Sequence, residues 1–134
     1  FFKSKNLTLS LIASKDFDEV KKTVESFFEK NFEVDSCILE ALSDPELQEL
    51  ESKTGLGMSK DAIHMGPLSK EKMDAFFSSE SVKSAVISVL KLKKGFALLK
   101  MGSNEPTKYL GDGDTTFIEY IRDIIVRVLE SKEA

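Results

Sequence analysis

A chain of 134 residues has the length of one ordinary domain and can bury a core without covalent staples. Its 41% apolar and 31% charged content is an ordinary soluble balance, and a net charge of −4 with Lys and Glu interleaved argues against nucleic acid, whose binders carry a basic face. One cysteine and one histidine exclude an intrachain disulfide and a zinc cluster built from Cys and His. No run approaches the roughly 18 apolar residues of a membrane span. A cytoplasmic protein with no metal, no membrane partner and no nucleic-acid partner is therefore expected. The chain opens on Phe1-Phe2-Lys3 without a Met or a leader pattern, as a piece of a longer protein would.

Residues 1–13 carry two patterns. Leu7, Leu9 and Leu11 alternate like a strand, whereas Phe1, Phe2, Leu9 and Ile12 fall on a loose helical face; the end of an upstream helix is favoured. Asp16 and Glu19 form a capping-box-like pair ahead of Phe17, Val20, Val24, Phe27 and Phe28, which predicts an amphipathic helix over 16–30. Val34 to Leu42 reads as a strand. Asp44-Pro45 predicts a helix with Asp44 as N-cap and Pro45 at N1, Leu47 and Leu50 inward, and Gly55 as its stop. Ala62 to Met65 reads as a short strand ended by Gly66-Pro67. Ser69 caps a short helix with Met73, Phe76 and Phe77.

The clearest strands are Lys83 to Leu92 and Gly95 to Met101. They are joined tightly enough for a hairpin, and their near-continuous apolarity suggests a central pair covered on both faces. Gly102 to Pro106 is turn chemistry. Asp114 is placed to cap a last helix from Thr115 to Ser131. That helix has two apolar stripes, Phe117, Ile121, Ile124 and Val128 in one and Ile118, Ile125 and Leu129 in the other. A single stripe serves a helix lying on a sheet, so either the helix is deeply buried or the second stripe meets a partner helix from another copy of the chain.

Little in the sequence carries catalysis. Cys37 sits among Ile38 and Leu39, as a packed core cysteine does, so a Cys37–His64 nucleophile pair has little support. Glu49 with Glu51, and Asp112 with Asp114, fit no acid/base or calcium pattern, and no phosphate-cradling glycine motif occurs. Lys91, Lys93, Lys94 and Lys100 lie close together and read as a solvated hairpin tip with charged strand flanks rather than a phosphate site. His64, between Ile63 and Met65, is open to two readings, a half-buried hydrogen-bonded histidine or a ligand contact. Met73, Phe76 and Phe77 either fill the core or form a lid over one sheet face.

The run Phe96 to Ser103, then Pro106, Tyr109 and Phe117-Ile118 opening a final helix, resembles the closing part of a GAF domain. Gly66-Pro67-Leu68 before a short helix, with Lys83-Ser84-Ala85 opening a strand, resembles more specifically the bacterial GAF-like family known as domain of unknown function 484. The charged region 43–64 departs from that pattern. The resemblance implies an α+β fold, with a central antiparallel sheet of five or six strands flanked by helices. It divides the chain into the end of an upstream helical segment, 1–15, and a GAF-like domain, 16–134.

The resemblance further implies a non-catalytic sensor or regulatory domain. A small ligand of unidentified chemistry, with no cofactor specified, would lie between the sheet and residues 62–80, touched by His64, Met73, Phe76, Phe77 and Ser103. First and last helices commonly dimerise in GAF proteins, which places Ile118, Ile125 and Leu129 at a homodimer interface. The alternative is a structural dimerisation or protein-interaction module with no ligand. The catalytic GAF branch that reduces methionine sulfoxide works through several cysteines and bilin attachment needs a suitably placed one, so neither suits a chain with only Cys37.

Overall fold

The computed structural model describes residues 2–32, 34–59, 61–105 and 116–132. Five helices and four strands follow in the order α1 (Phe2–Ala13), α2 (Phe17–Asn31), β1 (Ser36–Leu42), α3 (Asp44–Thr54), β2 (Ile63–Gly66), α4 (Lys70–Phe76), β3 (Ser84–Lys91), β4 (Phe96–Ser103) and α5 (Thr116–Ser131). The strands form one antiparallel sheet in the order β1-β4-β3-β2. The fold is α+β, and four strands stand among the described residues where five or six are expected. Two features close the sheet at its β1 side. The chain leaves β1 directly into α3, through a full capping box between Ser43 and Glu46. The outer edge of β1 is also occupied by side chains of α2. The Leu39 amide donates to the Glu25 carboxylate at 2.9 Å, the Lys21 ammonium donates to the Leu39 carbonyl at 3.0 Å, and Lys21 and Glu25 pair with each other. Those two side chains meet the outward amide and carbonyl of Leu39, at the middle of the edge that a further strand would use.

Alternation along the strands divides the core in two. Leu39, Val86, Leu90, Ala97, Leu99 and Met101 face a layer made of α1, α2 and α5, where they meet Leu11, Val20, Val24, Phe28, Ile121 and Ile125. Ala85, Ile87, Val89 and Leu98 face α3, α4 and the loops around them, where they meet Leu47, Met58, Met73, Phe76, Phe77 and Val82. The hairpin β3–β4 is thus buried on both faces, as its apolar run predicts.

Several local expectations need correction. The first residues are helical, but Leu7 and Leu11 are the buried pair, and Leu9 and Ile12 point outward. The N-cap of α3 is Ser43 rather than Asp44, because the Ser43 hydroxyl accepts from the Glu46 amide and the Ser43 amide in turn donates to the Glu46 carboxylate; Asp44 and Pro45 shift one position into the helix. Gly55, at φ +71, ends α3 as expected. Gly102 and Ser103 are strand rather than turn, paired with Ala85 and Ser84. The expected cap Asp114 and the residues Pro106, Tyr109, Gly111, Asp112 and Gly113 lie outside the described residues.

Candidate functional site

Met73, Phe76 and Phe77 converge on the sheet. Ser69 caps α4 by accepting from the Lys72 amide, and the helix ends after seven residues when Phe77 turns to extended backbone. Seven residues are too few to form a stable helix alone, so packing holds α4 in place. Met73, Phe76 and Phe77 are all buried against the sheet. The Phe77 ring lies on Gly102, where an added Cβ would stand 3.2 Å from one ring carbon and 2.8 Å from a Val82 methyl. Between the sheet and α4, these side chains fill the space in which a ligand is expected.

His64 faces the same side of the sheet from the edge strand β2. Its Nε2 lies 2.7 Å from the Gly57 carbonyl, which can only accept, so Nε2 carries the proton in this bond. The ring pins the loop after α3, and the Glu51 carboxylate, accepting from the Met58 amide at 2.8 Å, holds the next residue. Ser103 does not join the group. Alternation turns its side chain to the opposite face, where its hydroxyl accepts from the Glu105 amide at 3.1 Å. The structure therefore gathers Met73, Phe76 and Phe77, leaves His64 at the margin and places Ser103 elsewhere.

A residue outside that set belongs at its centre. Lys100 lies on the inner strand β4 between Ile38 and Ile87, and its side chain is only 7% exposed. Its ammonium donates to the Phe76 carbonyl at 2.7 Å and pairs with the Glu40 carboxylate at 3.1 Å. The Phe76 carbonyl is one of the orphan acceptors at the end of α4, so a cation from the sheet closes that helix terminus. The expected lysine cluster is dispersed accordingly. Lys93 and Lys94 are exposed at the hairpin tip, Lys91 lies over the Phe96 ring at 4.8 Å, and Lys100 is buried in the middle of β4.

Two further concavities are charge-balanced. A groove of about 280 Å³ beside α4 is lined by Leu68, Met73 and Val82, with Lys70 and Lys83 offset by Asp74 and Glu80. A larger one of about 580 Å³ sets Lys91, Arg122 and Arg127 among Asp61, Asp123 and Glu130. There the buried Arg122 of α5 donates to the Asp61 carbonyl at 3.4 Å and to the Asp123 carboxylate at 3.2 Å, and so ties the last helix to the start of β2. Among the described residues no group of three or more His, Cys, Asp or Glu could hold a metal ion.

Cys37 and His64 do not meet. They lie on the two edge strands and on opposite faces, roughly 14 Å apart across three strand spacings. Burial first, and the nearby Glu25 and Glu29 carboxylates next, push the Cys37 thiol far above its ordinary range, which leaves it a neutral packing residue.

The closing helix corrects the expected second face. Ile125 and Leu129 are buried in the core beneath the helical layer with Ile121 and Val128, and Ile118 is half-buried against them. The two stripes are one wide intramolecular face. Apolar exposure lies elsewhere on the same layer: Leu9 is 55% exposed, Ile12 61%, Tyr120 50% and Phe32 37%, and α1 touches both α2 and α5. On α1, Leu9 and Ile12 form a stripe opposite the buried Leu7 and Leu11.

No helix among the described residues is long and apolar enough to cross a membrane. No curated protein matches the chain. Residues 1–132 match the model of the family described as a protein of unknown function, DUF484, and the chain belongs to that family.

Proposed function

We propose that this is a non-catalytic, GAF-like regulatory domain that works by assembly, pairing its helical layer with that of a second copy. One observation carries the reading. The exposed large apolar side chains among the described residues, Leu9, Ile12, Phe32 and Tyr120, all lie on the helical layer and none lies on the side covered by α3 and α4. A two-fold contact buries the same stripe twice, so a modest patch gains from symmetry. Fully burying a Leu or Ile contributes roughly 1.5–3 kcal/mol, and association costs on the order of 4–15 kcal/mol, so four such side chains with two tyrosines give a weak, concentration-dependent dimer. Light scattering on the wild type and on a Leu9→Lys/Ile12→Lys double variant tests this. The wild type is expected to approach dimer mass as concentration rises, and the variant to stay monomeric with an unchanged circular dichroism spectrum. A wild type that remains a monomer throughout defeats the reading.

A second reading, a small-ligand sensor, is favoured by the buried Lys100 ammonium beneath a short helix on the sheet face that carries Met73, Phe76 and Phe77. Its test is thermal melting against a panel of metabolites and nucleotides. A ligand that binds only the folded state raises Tm, and a flat panel counts against the sensor.

A further inference from the structure

We infer that residues 67–82 form a lid that opens as a unit from the sheet, with the Lys100 ammonium as its latch, while the Lys83 amide, bonded to the Ser103 carbonyl at 2.8 Å, stays with the sheet. The segment is set off from the strands on both sides. Gly66 at φ +124 occupies a conformation that favours glycine, and Pro67 follows it. At the other end Ser78-Ser79-Glu80-Ser81 is exposed and irregular. Between them stands a helix of seven residues, with an unfilled groove of about 280 Å³ along its flank.

The hold on the sheet has two parts. One is apolar packing, with Met73 and Phe76 buried in the core on this face and Phe77 and Val82 fitted on Gly102. The other is the Lys100 bond to the Phe76 carbonyl, supported by Glu40. The Lys100 ammonium is buried while the Glu40 side chain stays 38% exposed, so the desolvation cost falls on the lysine, a cost that an apolar side chain would avoid. Opening returns the ammonium to water, which recovers that cost and lowers the free energy of opening below that of unfolding the sheet. Such a lid is a subglobal opening unit. The lid stands apart from the assembly reading, because it lies on the opposite side of the sheet from Leu9 and Ile12.

Native-state amide hydrogen exchange tests it on the whole chain in three forms. The amides of Met73 and Phe77, bonded to the Ser69 and Met73 carbonyls, report on the lid. Those of Val89 and Leu99 report on the sheet. In the wild type the lid amides are expected to exchange at least about tenfold faster than the sheet amides, with a weaker dependence on denaturant. Lys100→Ala removes the latch and should speed lid exchange about tenfold again. Val24→Ala weakens only the helical side of the core; it should speed the sheet amides about tenfold and leave the lid amides unchanged. The inference fails if Val24→Ala accelerates lid and sheet alike, since the lid then opens only with the whole domain. It also fails if Lys100→Ala leaves lid exchange as it was. The wild-type and Val24→Ala arms decide the matter even where Lys100→Ala does not fold.

Discussion

Gly102 shows how a single missing Cβ shapes one side of this molecule. Its partners Phe77 and Val82 lie too close to admit a methyl group, so Gly102→Ala must displace the ring or bend β4. The expected cost is about 1–3 kcal/mol, read as a lower urea midpoint with an unchanged m-value. Cys37 makes a second residue-scale test. A thiol this buried should react with an aromatic disulfide reagent only after denaturation. Its raised pKa also sets a sign. Below the ordinary thiol value of 9.0 the group is neutral folded and unfolded; above it the unfolded chain ionises while the folded chain does not. Stability should therefore fall as pH rises past about 9, and Cys37→Ala should flatten that part of the pH profile. Sequence identified Cys37 as core from its apolar neighbours. Lys100 was hidden, because a lysine near Lys91, Lys93 and Lys94 reads as part of a solvated patch. Its phase could have revealed it: Phe96, Leu98, Lys100 and Gly102 share one face of β4, where a lysine is out of place.

At the scale of elements, the helices and strands were legible because their signals are local. Ser69, Asp16 and Gly55 act where the sequence places them, and the hairpin lies where its two apolar runs meet. Positions that depend on tertiary neighbours were not legible. Two stripes on α5 cannot reveal that one wide surface will be covered by a sheet, α1 and α2 together. The outward turn of Leu9 and Ile12 depends on where α2 lies. The closed edge of β1 also needs the fold to be seen, since Lys21 and Glu25 are 18 and 14 residues from Leu39. Glu25→Ala should leave the Leu39 amide without its acceptor and uncover the edge. The expected loss is about 1–3 kcal/mol by chemical denaturation, with light scattering rising on storage as exposed edges pair. A Glu25→Ala variant as stable and as soluble as the wild type would show that α2 guards the edge by packing alone.

For the whole molecule, the sheet separates two unlike sides. One side of the sheet carries a short helix held by a buried cation, and the other carries three helices with apolar side chains left in water. His64, Met73, Phe76, Phe77 and Ser103 were grouped through family resemblance, and the sheet's alternation divides that group by sending Ser103 to the far face. The dimer surface was sought on α5 at Ile118, Ile125 and Leu129, and the fold encloses two of those three in its own core. The large apolar side chains exposed on the helical layer are Leu9, Ile12, Phe32 and Tyr120. The proposed assembly is tested most directly by sedimentation velocity on the wild-type chain over about 1–100 μM, a range matched to a weak dimer. A weight-average sedimentation coefficient that climbs from monomer toward dimer, and ceases to climb in Leu9→Lys/Ile12→Lys, is the predicted result. A coefficient that stays at the monomer value across the range would contradict it.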